Sequence, residues 1–230
     1  MNIGYKKLRG GYIAELEILG KTNENRDDIA DSQYAKYRTS KAKVLKIFHT
    51  NDETRVIKQV NGLRDENFMY GVGKEIYVAD YDENVNAVCS KGIHYFKTLE
   101  QAKMWELNLD NYAGKLIAWH DDGTIQCEGK YKDRKFEGKW FGWYEDGNKR
   151  CEDEYKDGKL EGKCIGWYES GTIQYEGEYK DGKQEGKWIG WYEDGTIQYE
   201  REYKNGKEKG KSISFVFLTF VLIGSLRLAG

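Results

Sequence analysis

Proline is missing from all 230 residues, where average usage would supply about 5%. A β-ladder excludes proline from its interior, but that rule does not reach the loops. A chain-wide absence beside plentiful Lys, Asn, Tyr and Ile is the composition of an AT-rich genome. Histidine occurs three times and cysteine four times, with no Cys-x-x-Cys. That sets aside a zinc site, and no metal or cofactor is expected. A signal-peptide pattern is also missing, so neither a disulfide framework nor export is expected, and an intracellular location is. Charge of one sign is lacking too. With 37 basic against 39 acidic residues there is no global basic field, so a nucleic-acid partner is not expected. Finally, no apolar run reaches the roughly 20 residues of a membrane-spanning helix. The longest, Ile213 to Leu226, is 14 residues.

What is present is a self-repeat. Trp119, Trp143, Trp167 and Trp191 stand 24 residues apart, and Tyr131, Tyr155, Tyr179 and Tyr203 keep the same step. A fixed period of this size signals a stacked array. Each unit carries two turn signals, Lys180-Asp181-Gly182-Lys183 and Glu193-Asp194-Gly195-Thr196. Asp-Gly between alternating runs marks a hairpin whose two central residues take positive φ. Alternation over 173–179 places Ile173, Tyr175, Gly177 and Tyr179 on one face and Gln174, Glu176 and Glu178 on the other. A first strand over 187–192 places Trp188, Gly190 and Tyr192 opposite Ile189 and Trp191. One hairpin is barely stable alone, so the units must stack, with glycines leaving room for the rings. Cys127, Cys151 and Cys164 fall in slots that other units fill with Tyr175, Tyr199, Trp140 and Trp188. They read as buried packing thiols, and a Cys127–Cys151 disulfide requires that neighbouring units stack closely.

At Trp191-Tyr192-Glu193-Asp194-Gly195 and Tyr179-Lys180-Asp181-Gly182-Lys183 the unit resembles a variant of the MORN repeat. The resemblance covers 114–211, four complete units in phase. It implies an elongated antiparallel β-meander used in protein–protein association or membrane-proximal scaffolding, with no catalytic residues in the repeats. Over 114–211 there are 19 basic and 22 acidic residues, which argues against an array for lipid phosphates.

Residues 1–110 have the length for their own core. Strand-like runs occupy 11–19, 42–48, 75–79 and 92–96, and 22–28 is a polar loop. Thr98-Leu99-Glu100-Gln101 fits a capping box that starts a helix to about Leu107, with Ala102 and Trp105 inward. The fold expected is an α+β domain followed by an all-β array of stacked hairpins. Ser40–Leu45, Val72–Tyr77 and Cys89–Phe96 resemble an uncharacterised N-terminal domain of MORN repeat-containing proteins of the mimivirus, giant-virus type, over about 4–106. The resemblance implies no known activity, and implies the host cytoplasm if the chain is viral. Cys89 and His94 are the only sensible nucleophile–base pair, without a nameable orienting group. Lys36, Arg38, Lys41, Lys43 and Lys46, with Tyr37 among them, read as a solvated basic face or as a contact for a phosphate-rich partner.

The chain thus divides into 1–110, 114–211 and an apolar tail, 212–230. The tail reads as a cap on the array, a frameshifted remnant of a fifth unit, or a weak membrane anchor through 213–226. The function expected is a non-catalytic interaction or scaffold protein that binds a protein partner, with Trp143, Trp167 and Trp191 as candidate contacts. Inter-unit packing is the competing role for those rings. A membrane-associated protein is the alternative, and an enzyme centred on Cys89 and His94 comes last. No small-molecule substrate is expected.

Overall fold

The computed structural model describes residues 1–65, 67–110 and 112–214, with the side chains of 211–214 excepted. Strands β1 (Ile3–Lys7), β2 (Tyr12–Ile18), β3 (Lys36–Thr39), β4 (Lys41–His49), β5 (Asp52–Val56), β6 (Gln59–Asn61), β7 (Met69–Gly71), β8 (Glu75–Tyr77) and β9 (Ile93–Phe96) precede helix α1 (Leu99–Met104). Seven of these strands form one antiparallel sheet in the order β3-β9-β1-β2-β4-β5, with β8 on β4, while β6 and β7 form a separate ribbon. Among the described residues, one six-residue α-helix beside nine strands makes the domain mostly β, not the α+β domain that the sequence suggests. Thr98 does cap α1, its hydroxyl accepting from the Gln101 amide at 3.3 Å. The Gln101 side chain does not close the box. It is buried and donates to the Tyr34 carbonyl. The helix ends at Met104 because Trp105 turns extended and packs against Phe96, with ring centroids 5.4 Å apart.

The alternating apolar residues of β2 and β4 supply the core. Leu16, Ala42, Val44 and Ile47 join Leu8, Ala14 and Ile93 on one side, and Ile13, Phe48, Phe96 and Ala102 pack on the other.

The second half is a single nine-stranded antiparallel meander, β10 (Gly114–Trp119), β11 (Ile125–Lys132), β12 (Lys135–Trp143), β13 (Lys149–Lys156), β14 (Lys159–Trp167), β15 (Ile173–Lys180), β16 (Lys183–Trp191), β17 (Ile197–Lys204) and β18 (Lys207–Ser214), each paired with the next. The two turn types differ. Asp157-Gly158, Asp181-Gly182 and Asn205-Gly206 take positive φ at both positions, as expected of a two-residue hairpin. In Glu193-Asp194-Gly195-Thr196 only Gly195 does, at φ 83°, and Asp194 instead caps the turn by accepting from the Thr196 amide at 2.9 Å. The strand expected over 187–192 begins four residues earlier, at Lys183. The left-handed Gly186 (φ 68°) lets the chain bulge without leaving the ladder. Of the tail, the backbone of 212–214 belongs to β18, and the rest lies outside the described residues.

Candidate functional site

The array has two aromatic populations. On one face Trp188 is 4% exposed and lies on Gly177, where a Cβ would sit 2.3 Å from the indole. The rings of Tyr175, Tyr179 and Tyr203 surround it at 6.2, 5.1 and 6.4 Å. Trp140 repeats the arrangement over Gly129, against Phe136 and Tyr155. Cys164 fills the equivalent slot, with its thiol 2.9 Å from an oxygen of Asp153 and its pKa pushed up by burial. Cys127 and Cys151 are free, each pairing with Gly142 from opposite sides. Two strand spacings, roughly 10 Å, exceed what a disulfide spans, so these units do not stack closely enough for that bond.

Trp143, Trp167 and Trp191 lie on the other face, half-buried. A bulge precedes each. Gly166 pairs with Tyr175, and Trp167 pairs with Ile173, leaving Gln174 as the extra residue. Cross-strand partners share a face, so Ile173 lies beside Trp167 and not beside Tyr175 as simple alternation predicts. Ile173 and Ile197 are each 36% exposed, and they extend the tryptophan stripe. Each tryptophan is fixed through its backbone. The Tyr144 hydroxyl donates to the Trp167 carbonyl at 2.7 Å, the Tyr168 hydroxyl to that of Trp191 at 2.9 Å, and His120 Nε2 lies 3.2 Å from that of Trp143. The indoles themselves have lighter contacts: Phe141 lies 6.0 Å from Trp143, and the Lys149 ammonium 5.6 Å from Trp167.

The first unit uses the same edge differently. Trp119 stacks on Tyr34 of the N-terminal domain, with centroids 5.4 Å apart and planes 5° apart. The turn after it is inserted there as well. The Asp122 carbonyl accepts from the amides of Ala30 and Asp31, and the Asp121 carbonyl from the Lys36 amide and the buried Arg26 guanidinium. A Cβ on Gly123 would sit 2.1 Å from the Asp31 carbonyl, whereas one on Gly147, Gly171 or Gly195 would meet nothing within 4 Å.

In the N-terminal domain, Cys89 and His94 line one cleft of about 570 Å³, but no hydrogen bond joins them among the described residues. The exposed Cys89 thiol lies 3.2 Å from the Lys36 ammonium, and His94 Nε2 lies 3.0 Å from the Val88 carbonyl. Burial, then Lys6 and Lys36, push the His94 pKa down to about 4, so the ring is neutral near pH 7 and a feeble base. The nucleophile–base pair suggested by the sequence is not built. The basic run also departs from a solvated face. Arg38 is fully buried, Lys36 is 8% exposed in the cleft, and Lys41 pairs with Glu75 at 2.7 Å. No local pattern in the sequence points to Lys6 or Arg64, which line the same cleft. Lysine in an alternating strand reads as solvent-facing.

Among the described residues, no helix is long and apolar enough to cross a membrane, and no group of three or more His, Cys, Asp or Glu is placed to hold a metal ion. Residues 1–102 match a family of unknown function (DUF5758). Residues 136–157, 160–181 and 184–205 match the MORN repeat variant. No curated protein matches the chain. MORN repeats are non-enzymatic and are generally involved in protein or membrane interactions.

Proposed function

We propose that this chain is a non-catalytic interaction or scaffold protein whose array binds a protein partner along the stripe of Trp143, Trp167 and Trp191. One observation carries the reading. In the first unit the equivalent tryptophan and the turn beyond it already serve as a docking surface, through Trp119 on Tyr34 and Gly123 against Asp31. The later units present the same ring beside a turn glycine with open space around it. Partly exposed tryptophans with fixed backbones suit a contact surface, because little freedom remains to be lost on binding. We place the protein inside the cell, in the host cytoplasm if its origin is viral.

The test is affinity capture with the full chain from cells of its native source, wild type against a Trp143→Ala, Trp167→Ala, Trp191→Ala triple variant. A partner lost with the triple variant, whose circular dichroism stays that of wild type, supports the reading. Capture that survives the triple change overturns the stripe. Flotation with liposomes that disappears on truncation after Lys211 would favour the membrane alternative.

A further inference from the structure

The cleft beside β1 and β9 in the N-terminal domain is lined by many charged side chains. Among the described residues, five basic and two acidic ones line it. Arg64 pairs with Glu106, Lys91 with Asp80, and Lys7 turns away to the Thr50 hydroxyl at 3.0 Å. Lys36 and Lys6 complete the basic lining. Lys36, from β3, lies 4.6 Å above the Trp105 ring, donates to the Cys89 thiol at 3.2 Å and pairs loosely with the Asp121 carboxylate at 3.8 Å. Lys6, from β1, donates to the His94 carbonyl at 3.1 Å and lies 5.9 Å from the Tyr70 ring. Among the described residues it has no carboxylate partner. Burial lowers the Lys6 pKa to about 8, helped by Lys36 and Arg64 and only partly opposed by Glu106. The neutral His94 reports the same positive field. A cation held out of water without a counter-charge is costly, and among the described residues Lys6 is such a cation in this cleft. The volume, about 570 Å³, suits a small organic molecule.

We propose that this cleft binds a small phosphomonoester of up to nucleotide size, its phosphate held between Lys6 and Lys36 with Arg64 at the rim and its organic part against the Trp105 side. A dianion matches two ammonium groups in one cleft better than a single carboxylate does. Such a ligand runs against the sequence-based expectation of no small molecule.

Isothermal titration of the full chain tests this with ribose 5-phosphate, adenosine 5′-monophosphate and adenosine, and flotation tests it with vesicles containing phosphatidylinositol 4-phosphate. The two phosphate esters bind and adenosine does not. Lys6→Met weakens binding at least tenfold without lowering the melting temperature, and Lys46→Met, on an exposed position of β4, leaves it unchanged. Wild-type affinity falls as pH rises through about 8, where Lys6 loses its charge. Absence of heat with both esters overturns the site, as does binding that Lys6→Met leaves intact. Binding to vesicles without binding to free esters would place the phosphate on a lipid headgroup and overturn the small-molecule assignment.

Discussion

The two halves of this protein reach their stability by opposite routes. In the array every strand pairs with its sequence neighbour, and the same side-chain contacts recur each 24 residues. In the N-terminal domain the sheet is closed by distant pieces. Tyr5 pairs with Phe96, and Lys36 to Thr39 pair with Ile93 to Phe96. Local, repeated contacts make stability a sum over units. Long-range closure makes it depend on single residues that hold several segments at once.

Arg38 is such a residue, and removing it carries the largest expected effect. Its guanidinium is fully buried and donates to the carbonyls of Asp82, Asn84, Ala87 and Lys91 while lying 4.7 Å from the Tyr81 ring. One side chain thus folds the 82–91 loop, which forms a wall of the cleft. Arg38→Met leaves those carbonyls without their donor, at a cost of about 3 kcal/mol or more. The loss should appear in urea unfolding as an early transition of the N-terminal domain, while the array melts as before. A single shifted transition would show instead that the halves unfold together, and the contrast between them would fail.

Arg38 also lies beyond the reach of local sequence pattern. The runs that became β2, β4, β8 and β9, the Thr98 cap and the period of the array were legible because each rests on local alternation or local turn chemistry. Strand β3, Lys-Tyr-Arg-Thr, was not, because it is buried on both faces and a pattern rule assigns Lys and Arg to solvent. The cleft was invisible because its walls come from residues near 6, 36, 64, 80, 94 and 105. No spacing along the chain brings those together. Even in the array, alternation misplaced Ile173, since a bulge reverses the face and leaves no mark in the hydrophobic pattern.

A smaller effect sharpens the comparison at the junction. Gly123 and Gly195 hold the same place in their units, with φ 98° and 83°. Gly195→Ala meets no neighbour and pays only for its left-handed backbone, about 1 kcal/mol. Gly123→Ala pays that and also drives a methyl into the Asp31 carbonyl and the Ala35 amide, adding about 1–3 kcal/mol. Thermal melts of the two variants should therefore differ although the sequence motif is the same. Equal melts would mean that the first turn does not dock on the N-terminal domain in solution.

The smallest change in stability is expected from the largest change in sequence. Deleting 24 residues in phase rejoins equivalent positions, but the array is not a uniform repeat. Trp140 sits over Gly129, and Trp188 over Gly177, whereas Cys164 pairs with Asp153. Each large ring thus needs a glycine on the strand before it, and the small thiol accompanies the carboxylate. Deleting 145–168 removes Asp153 and Cys164 together, leaves both Trp-on-Gly pairs intact, and lets the Tyr144 hydroxyl take over the bond that Tyr168 makes to the Trp191 carbonyl. Deleting 162–185 is equally in phase, yet it sets Trp188 against Asp153, where a Cβ and a carboxylate occupy the space the indole needs. The first deletion should keep its ellipticity per residue and melt close to the parent. The second should be less stable than the first by about 1–3 kcal/mol. If both melt alike, the ring-on-glycine contact is dispensable and the array is held by its backbone ladder alone. If they separate as expected, the fold of each unit is written partly in its neighbour, and the smallest self-sufficient piece of the array is a strand pair with its own ring and notch.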